Sequence, residues 1–459
     1  MKGAIEKVSC ENRVRLASLW FPLSYLKKVR TSTGLTMAIV VWTFLVTLSR
    51  ALRKPNDFAE AHWLLSYRFG FMKRGLLGSL GGVVTEAGGP KITPEVIVGL
   101  SSLVYCGLYA AFLYQIILVL RRQQDRSSVV PLVLVFASSP FVVLNAHLFG
   151  YFDAVSYLLA VVSISLVLAH RPLAAALVSS TALLVHEGYY LVGFPPVVLA
   201  SLAAAPTNGS RLDWRSLGIV AGVPTVVFMA IPLVQAQCTE GMILREQLRG
   251  YLDSFDFVRT RSRAVAIWQT TTIFEFFRHQ AGAFPASLFH PGVASSVLPS
   301  LLLMLGVLHG TFKLPPYKGL SLALLAVVLG PLALHTVAWD IARISSYSLG
   351  SGFLAWLVLV RTRAAHPVSF LWIMLALGVV FCNTFGRISL MDGEVERYTN
   401  TQRFFLYAPA MGLLGWMAFT GIRDYFRTTS STTSDASVRL ESEGARSTPT
   451  SPPSGRGNL

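Results

Sequence analysis

A chain of 459 residues that is 53% hydrophobic and only 14% charged, with a mean hydropathy of +0.55, is too poor in charge for a soluble globular protein. Its apolar residues come in runs of roughly 16 to 22, near the ~20 needed to cross ~30 Å of hydrocarbon, which indicates a polytopic membrane protein. The net charge of +16 then points to cytoplasmic loops and anionic headgroups, and argues against nucleic acid as a partner.

The segment 1–32 is long and charged before the first apolar run, unlike a cleaved signal peptide, so that run reads as a retained signal anchor. Apolar segments follow at 33–49, 95–120, 129–147, 153–169, 172–186, 189–204, 217–235, 292–310, 319–338, 345–360, 367–384 and 404–421. The expected fold class is all-α: a polytopic transmembrane helix bundle of about twelve spans, with interfacial helices in the outer loops. Three parts are expected: a cytoplasmic N-terminal segment 1–32, a membrane domain 33–427, and a disordered cytoplasmic tail 428–459 rich in Ser, Thr, Pro and Gly. With the N-terminus inside, the cations of alternate short loops all fall on the cytoplasmic side. They include Lys27, Lys28, Arg121, Arg122, Arg126, Arg171, Arg211, Arg215, Lys313, Lys318, Arg361, Arg363, Arg423 and Arg427. Cys10, Cys106, Cys238 and Cys382 suggest neither a disulfide framework nor a metal site.

The remaining loops share the outer face. The first, 50–94, opens with RALRKPNDFAEAHWLLSYRFGFMKRGLLGSLGG, in which Arg50, Arg53, Lys54, Arg68, Lys73 and Arg74 surround Asp57, Glu60 and His62. Six cations on this face oppose the orientation rule, which suggests that they have a function. Asp57 and Glu60, at i and i+3, share one face of a helix. A carboxylate there could act as a general base or metal ligand while Arg and Lys hold a phosphate; a lipid-binding amphipathic helix with its own ion pairs is the alternative. The stretch 62–84 reads as an interfacial helix, with Lys73 and Arg74 snorkelling at its edge. The long loop 236–291 places Met242, Leu244, Leu248, Leu252 and Phe255 at helical spacing and predicts one or two interfacial helices.

Three further groups come to the same face. Asp153 opens a span, where it is either a site carboxylate or a helix N-terminal acid. His186 and Glu187 form a polar tip between two closely spaced spans. They match no H-E-x-x-H motif, so zinc is not indicated. His335, Asp340 and Arg343 lie in LALHTVAWDIARISSY, where Arg343 either faces an anion or simply pairs with Asp340. Arg387, Glu394, Glu396, Arg397 and Arg403 read as mostly solvated charges, with Arg397 and Arg403 as rim contacts. Neither a Walker motif nor a dinucleotide fingerprint is present.

In this layout the chain resembles the multi-spanning glycosyltransferases of the GT-C type and, more loosely, O-antigen polymerases and ligases. The likeness rests on NDFAE (56–60) soon after the first span, on WLLSYRFGFMKRGLLGSL in the place of an interfacial helix, and on YFDA, LVHEGYY and AWDIARI, which look like stretches of bacterial membrane proteins. It implies transfer from a polyprenyl-phosphate- or diphosphate-linked saccharide on the extracytoplasmic face of a bacterial inner membrane. Asp57 or Glu60 would be catalytic. His62, Arg68, Lys73, Arg74, Asp153, His186, Glu187, His335, Asp340 and Arg343 would bind substrate or phosphate. Trp63, Tyr67 and Trp339 would stack on sugars. The acidic pair departs from the usual pattern, being separated by two residues, which leaves the catalytic carboxylate open. No cofactor is called for, and a divalent metal is left open. Membrane lipids are expected partners. A transporter or flippase for an anionic or lipid-linked substrate, and a structural membrane protein, are the alternatives.

Overall fold

A computed structural model describes residues 33–122, 129–204, 213–238, 241–280, 282, 286, 290–291, 297–312, 318–338, 340–363, 368–386, 388–390 and 393–446. The N-terminal segment 1–32, the loop cations Arg126, Arg211 and Lys313, the residues Trp339 and Arg387, and the last part of the tail, 447–459, lie outside the described residues. The described chain is helical apart from one two-residue hairpin, β1 (Ser389–Leu390) and β2 (Gly393–Glu394), in register Ser389 to Glu394.

Helices occupy every expected apolar position. They are α1 (Thr33–Ala51), α4 (Pro94–Arg122), α5 (Val130–Ala137) with α6 (Pro140–His147), α7 (Asp153–Leu168), α8 (Pro172–Val185), α9 (Tyr189–Val192) with α10 (Phe194–Ala203), α11 (Trp214–Cys238), α15 (Leu298–Phe312), α16 (Lys318–Leu329) with a 3₁₀ turn (Gly330–Thr336), α17 (Ile341–Thr362), α18 (Phe370–Phe385) and α19 (Asn400–Arg446). Among the described residues, six segments are long and apolar enough to cross a membrane: α1, α4, α5–α6, the first 22 residues of α11, α17 and the first 24 residues of α19. The 16 residues of α7 reach about 24 Å and are shorter than a full crossing. This is the architecture of a helical, multi-pass membrane protein.

The break between α5 and α6 has a local cause. Pro140 cannot donate to the helix before it, and its fixed φ suits the first turn of the next. Both halves are fully buried, and Phe136 of α5 stacks on Phe353 of α17 at 3.7 Å between ring centres. These two segments form the axis of the bundle. Around them α1, α4 and α11 turn large apolar side chains outward, for example Leu45, Leu103 and Met229, as lipid-facing helices do.

Between the spans, two loops build a cap at one end. In the first, α2 (Asp57–His62), a 3₁₀ turn (Tyr67–Phe69) and α3 (Leu76–Glu86) replace the single interfacial helix expected over 62–84. The segment folds back because Gly78 packs on Leu65, where an added Cβ would lie 2.0 Å from the Leu65 carbonyl oxygen. In the second loop, α12 (Gly241–Asp253), α13 (Ser262–Thr270) and α14 (Ile273–Gln280) stand where one or two helices were expected. Leu244, Leu248 and Leu252 of α12 bury against Ala61, Leu64, Leu65 and Met72.

Arg397 N–H donates to the Arg50 carbonyl (3.0 Å), Arg53 Nε to His147 O (2.8 Å) and Trp63 Nε1 to Gly150 O (2.8 Å), so the loops expected on one face do meet. At the other end Arg361 Nη1 donates to Gln115 Oε1. The solvated reading of the last loop needs correction. Glu396 binds Arg50 at 2.6 Å and Arg403 at 3.3 Å, with both guanidinium groups almost fully buried. Arg50 also reaches the Asn383 carbonyl and the Tyr407 hydroxyl, so this triad ties α1, α18 and α19 together. Helix α19 runs on through 428–446, into the segment expected to be a disordered tail. Extending an established helix fixes one residue per hydrogen bond and needs no new nucleus.

Candidate functional site

Beneath the cap lies a cavity of about 490 Å³. Lys73, Arg74, His186, Glu187, Arg261, Asp340 and Arg343 form its charged wall. Phe228, Ile231 and Pro232 from α11, with Tyr190, Leu191 and Leu334, form an apolar wall on the side of the lipid-facing helix. Trp268 and Phe276, stacked at 4.4 Å, and Tyr151 add aromatic surface.

Arg74 is held at three nitrogens within the charged wall. Its Nε and Nη2 donate to the two oxygens of Glu187 at 3.0 and 2.7 Å, and its Nη1 lies 3.3 Å from His62 Nε2. Its backbone sits at φ 62, in the left-handed region. A non-glycine residue persists there only when its surroundings over-determine it. Here the turn between the 3₁₀ segment and α3 and the bidentate pair supply that constraint. Arg74 and Lys73 therefore turn inward and do not snorkel as expected. The Lys73 ammonium donates to the Thr271 carbonyl (3.1 Å) and sits 4.7 Å from the Phe276 ring centre. Burial lowers its pKa to about 8. Among the described residues no carboxylate pairs with it.

The two histidines adopt opposite tautomers. His62 Nδ1 faces the Phe58 carbonyl (2.8 Å), which can only accept, so Nδ1 carries the proton and Nε2 offers its lone pair to Arg74. His186 Nδ1 accepts the Gly188 N–H (2.9 Å), so its proton is on Nε2, facing Asp153 Oδ1 at 3.6 Å. Burial, followed by the charge of Arg74, lowers His62 to about 3 and His186 to about 4. Burial alone would raise the Glu187 carboxyl, but Arg74, His186 and Lys73 together outweigh it and hold the group well below the usual range.

Asp153 lies just behind the wall. It accepts from the Tyr347 hydroxyl (2.6 Å) and lies 3.8 Å from Arg343 Nη1. Arg343 Nε is 3.3 Å from Asp340, whose other oxygen caps the first turn of α17. Asp153, His186, Arg343 and Tyr347 thus form one connected group, and Arg343 pairs with Asp340 while both line the cavity.

Other expected site residues lie elsewhere. Asp57 sits at the rim, bonded to the Thr260 hydroxyl and 3.5 Å from Arg261 Nε. Glu60 is beside it and does not line the cavity; burial and the neighbouring Asp57 raise its pKa. Arg68 is exposed and lies over the rings of Tyr251 and Phe69. His335 is buried, with Nε2 3.0 Å from Ser345 Oγ. Trp63 is buried against Phe152, and Tyr67 stacks on Phe71. Sequence reasoning gave no role to Arg261, Trp268, Phe276, Tyr151 or Tyr347. One usable signal was Thr272–Glu275, a capping box that starts α14, the helix that carries Phe276.

Among the described residues no cluster of three or more His, Cys, Asp or Glu side chains forms a metal site. No family model matches the chain, and neither a curated protein nor a solved structure matches it.

Proposed function

We propose that this protein is an integral membrane glycosyltransferase or glycan polymerase that uses a polyprenyl-phosphate- or diphosphate-linked saccharide. The observation that carries the reading is the cavity itself. Lys73, Arg74 and Arg343 stand at its charged wall, while α11, a lipid-facing helix, supplies the apolar one. An amphiphile with a phosphate head and a hydrocarbon tail fits both walls, and the bilayer can deliver it from the side. In the reaction an acceptor hydroxyl attacks the anomeric carbon and the lipid phosphate leaves with the bonding electrons. Arg74, Arg343 and Lys73 stabilise the charge that develops on the leaving group. The acceptor proton goes to a carboxylate. Asp340 lines the cavity, and Asp57 stands at its rim beside Arg261. Tyr151 and Trp268 offer flat faces for sugar rings.

The reading includes twelve crossings, with the short helices tilted little or set in locally thinned bilayer. The cap faces the extracytoplasmic side of a bacterial inner membrane, and both termini are cytoplasmic. A transporter for a lipid-linked anion is the second reading. Favouring it, each carboxylate on or beside the cavity is tied to a cation: Glu187 to Arg74, Asp340 and Asp153 to Arg343, and Asp57 to Arg261.

Mass spectrometry of lipids that copurify in mild detergent tests the binding step. A polyprenyl-phosphate- or diphosphate-linked saccharide is expected, depleted in Arg74→Gln and Arg343→Gln. Transfer to an added acceptor separates enzyme from transporter. Bulk phospholipid alone, unchanged in the variants, would remove both readings.

A further inference from the structure

The charges of the cavity wall are balanced by the protein itself. Each arginine is matched by at least one carboxylate, and Lys73 is the cation left without one among the described residues. Arg74 is the extreme case. Glu187 takes its Nε–Nη2 fork with two hydrogen bonds, the arrangement in which an arginine binds a phosphate. Both side chains are mostly buried, at 16% and 19% exposure. An incoming anion that takes this fork must displace Glu187 and leave a carboxylate in a poorly solvated wall.

This exchange depends on the ligand's charge. A phosphodiester headgroup carries one negative charge, so it replaces one anion by another at Arg74 and adds nothing to offset the stranded Glu187. A diphosphate carries at least two charges and spans two phosphorus centres. It can take the Arg74 fork and also engage Lys73, the adjacent residue in sequence, whose ammonium lies on the same wall. A cavity that touches a lipid-facing helix is exposed to an excess of phosphodiester headgroups, so such a threshold has a use.

We propose that Glu187 is a resident counter-anion that selects the ligand by charge, holding the Arg74 fork against singly charged phosphodiesters and yielding it to a lipid-linked diphosphate. The proposal rests on the lipid-phosphate reading of the cavity and narrows it to the diphosphate class. It makes Glu187 a specificity-determining residue that opposes binding, where the alternative is a positioning residue that aids it.

The test measures affinities of the full-length protein in detergent for geranylgeranyl diphosphate and for the methyl phosphodiester of geranylgeraniol. Wild type is expected to prefer the diphosphate by about tenfold or more. Glu187→Gln, close to isosteric, is expected to raise phosphodiester affinity by about tenfold and so shrink the preference, while Arg74→Gln weakens the diphosphate. Glu187→Asp, which keeps the charge, provides a second variant should the amide disturb folding, and it is expected to retain the preference. Loss of diphosphate binding in Glu187→Gln to the level of Arg74→Gln would overturn the proposal, because Glu187 would then be positioning Arg74. Equal wild-type affinity for the two probes, with binding still dependent on Arg74, would overturn it and leave the lipid-phosphate reading intact. Binding of neither probe, or binding unaffected by Arg74→Gln, would remove both.

Discussion

Glu396 lies between two guanidinium groups, 2.6 Å from Arg50 and 3.3 Å from Arg403, and both arginines are at most 2% exposed. Removing the carboxylate strands two buried cations. Glu396→Ala is therefore expected to cost about 3–5 kcal/mol, read as a lower unfolding temperature in detergent. His62 gives a second test, through pH. Its imidazole is 2% exposed, and burial, followed by Arg74, lowers its pKa to about 3. The unfolded chain takes up this proton near pH 6.5, and the folded chain refuses it until about pH 3. This contribution is fully present above pH 6.5 and is lost progressively as pH falls toward 3. Unfolding temperatures measured between about pH 7 and 5 should fall less steeply in His62→Gln than in wild type. Composition marked the cations of 50–74 as unusual for their face but could not sort them. Arg50 joins a buried triad, Arg68 lies over Tyr251, and Lys73 and Arg74 face the cavity. Their partners, Glu396, Tyr251, Thr271 and Glu187, lie more than a hundred residues away, and no local spacing encodes them.

At the scale of elements, what was legible was whatever repeats locally. The spacing of Leu244, Leu248 and Leu252 announced α12, and all three are buried. That they bury against Ala61, Leu64 and Leu65, and not in the bilayer surface, follows from a long-range contact that amphipathicity cannot specify. The extra helix α14 was legible in principle. The Thr272 hydroxyl accepts from the Glu275 N–H while the Glu275 carboxylate accepts from Thr272, and the same reciprocal pattern at Thr399 and Gln402 starts α19. The packing of the two loops leads to a prediction. Leu248 is fully buried between them, so Leu248→Ala should cost about 2–5 kcal/mol of cap stability. Hydrogen exchange should speed up together in 57–72 and 241–270, while α5 and α17 remain protected. Faster exchange in only one of the two loops would mean that they do not form a single unit.

For the whole molecule, the twelve apolar positions and the meeting of alternate loops at one end were readable from hydropathy and from the Lys/Arg bias, because both depend on composition alone. The cavity was not, since it draws on α2–α3, α9, α11, the cap and α17, none of which neighbours another in a sequence pattern. Side and crossing number can be settled together. Cys106 and Cys382 are exposed on their helices, so labelling begins from a variant in which all four cysteines are replaced by serine. Into it go Ser254→Cys, exposed in the cap, and Arg171→Cys, exposed in the turn between α7 and α8. With twelve crossings and the cap outward, a membrane-impermeant maleimide labels Ser254→Cys in intact cells and Arg171→Cys only after permeabilisation. Labelling of both in intact cells would mean that α7 and α8, at 16 and 14 residues, enter and leave on one side without crossing. Labelling of Arg171→Cys alone would invert the bundle. The cavity would then open on the cytoplasmic side, where soluble activated sugars are available, and the need for a lipid-delivered donor would disappear.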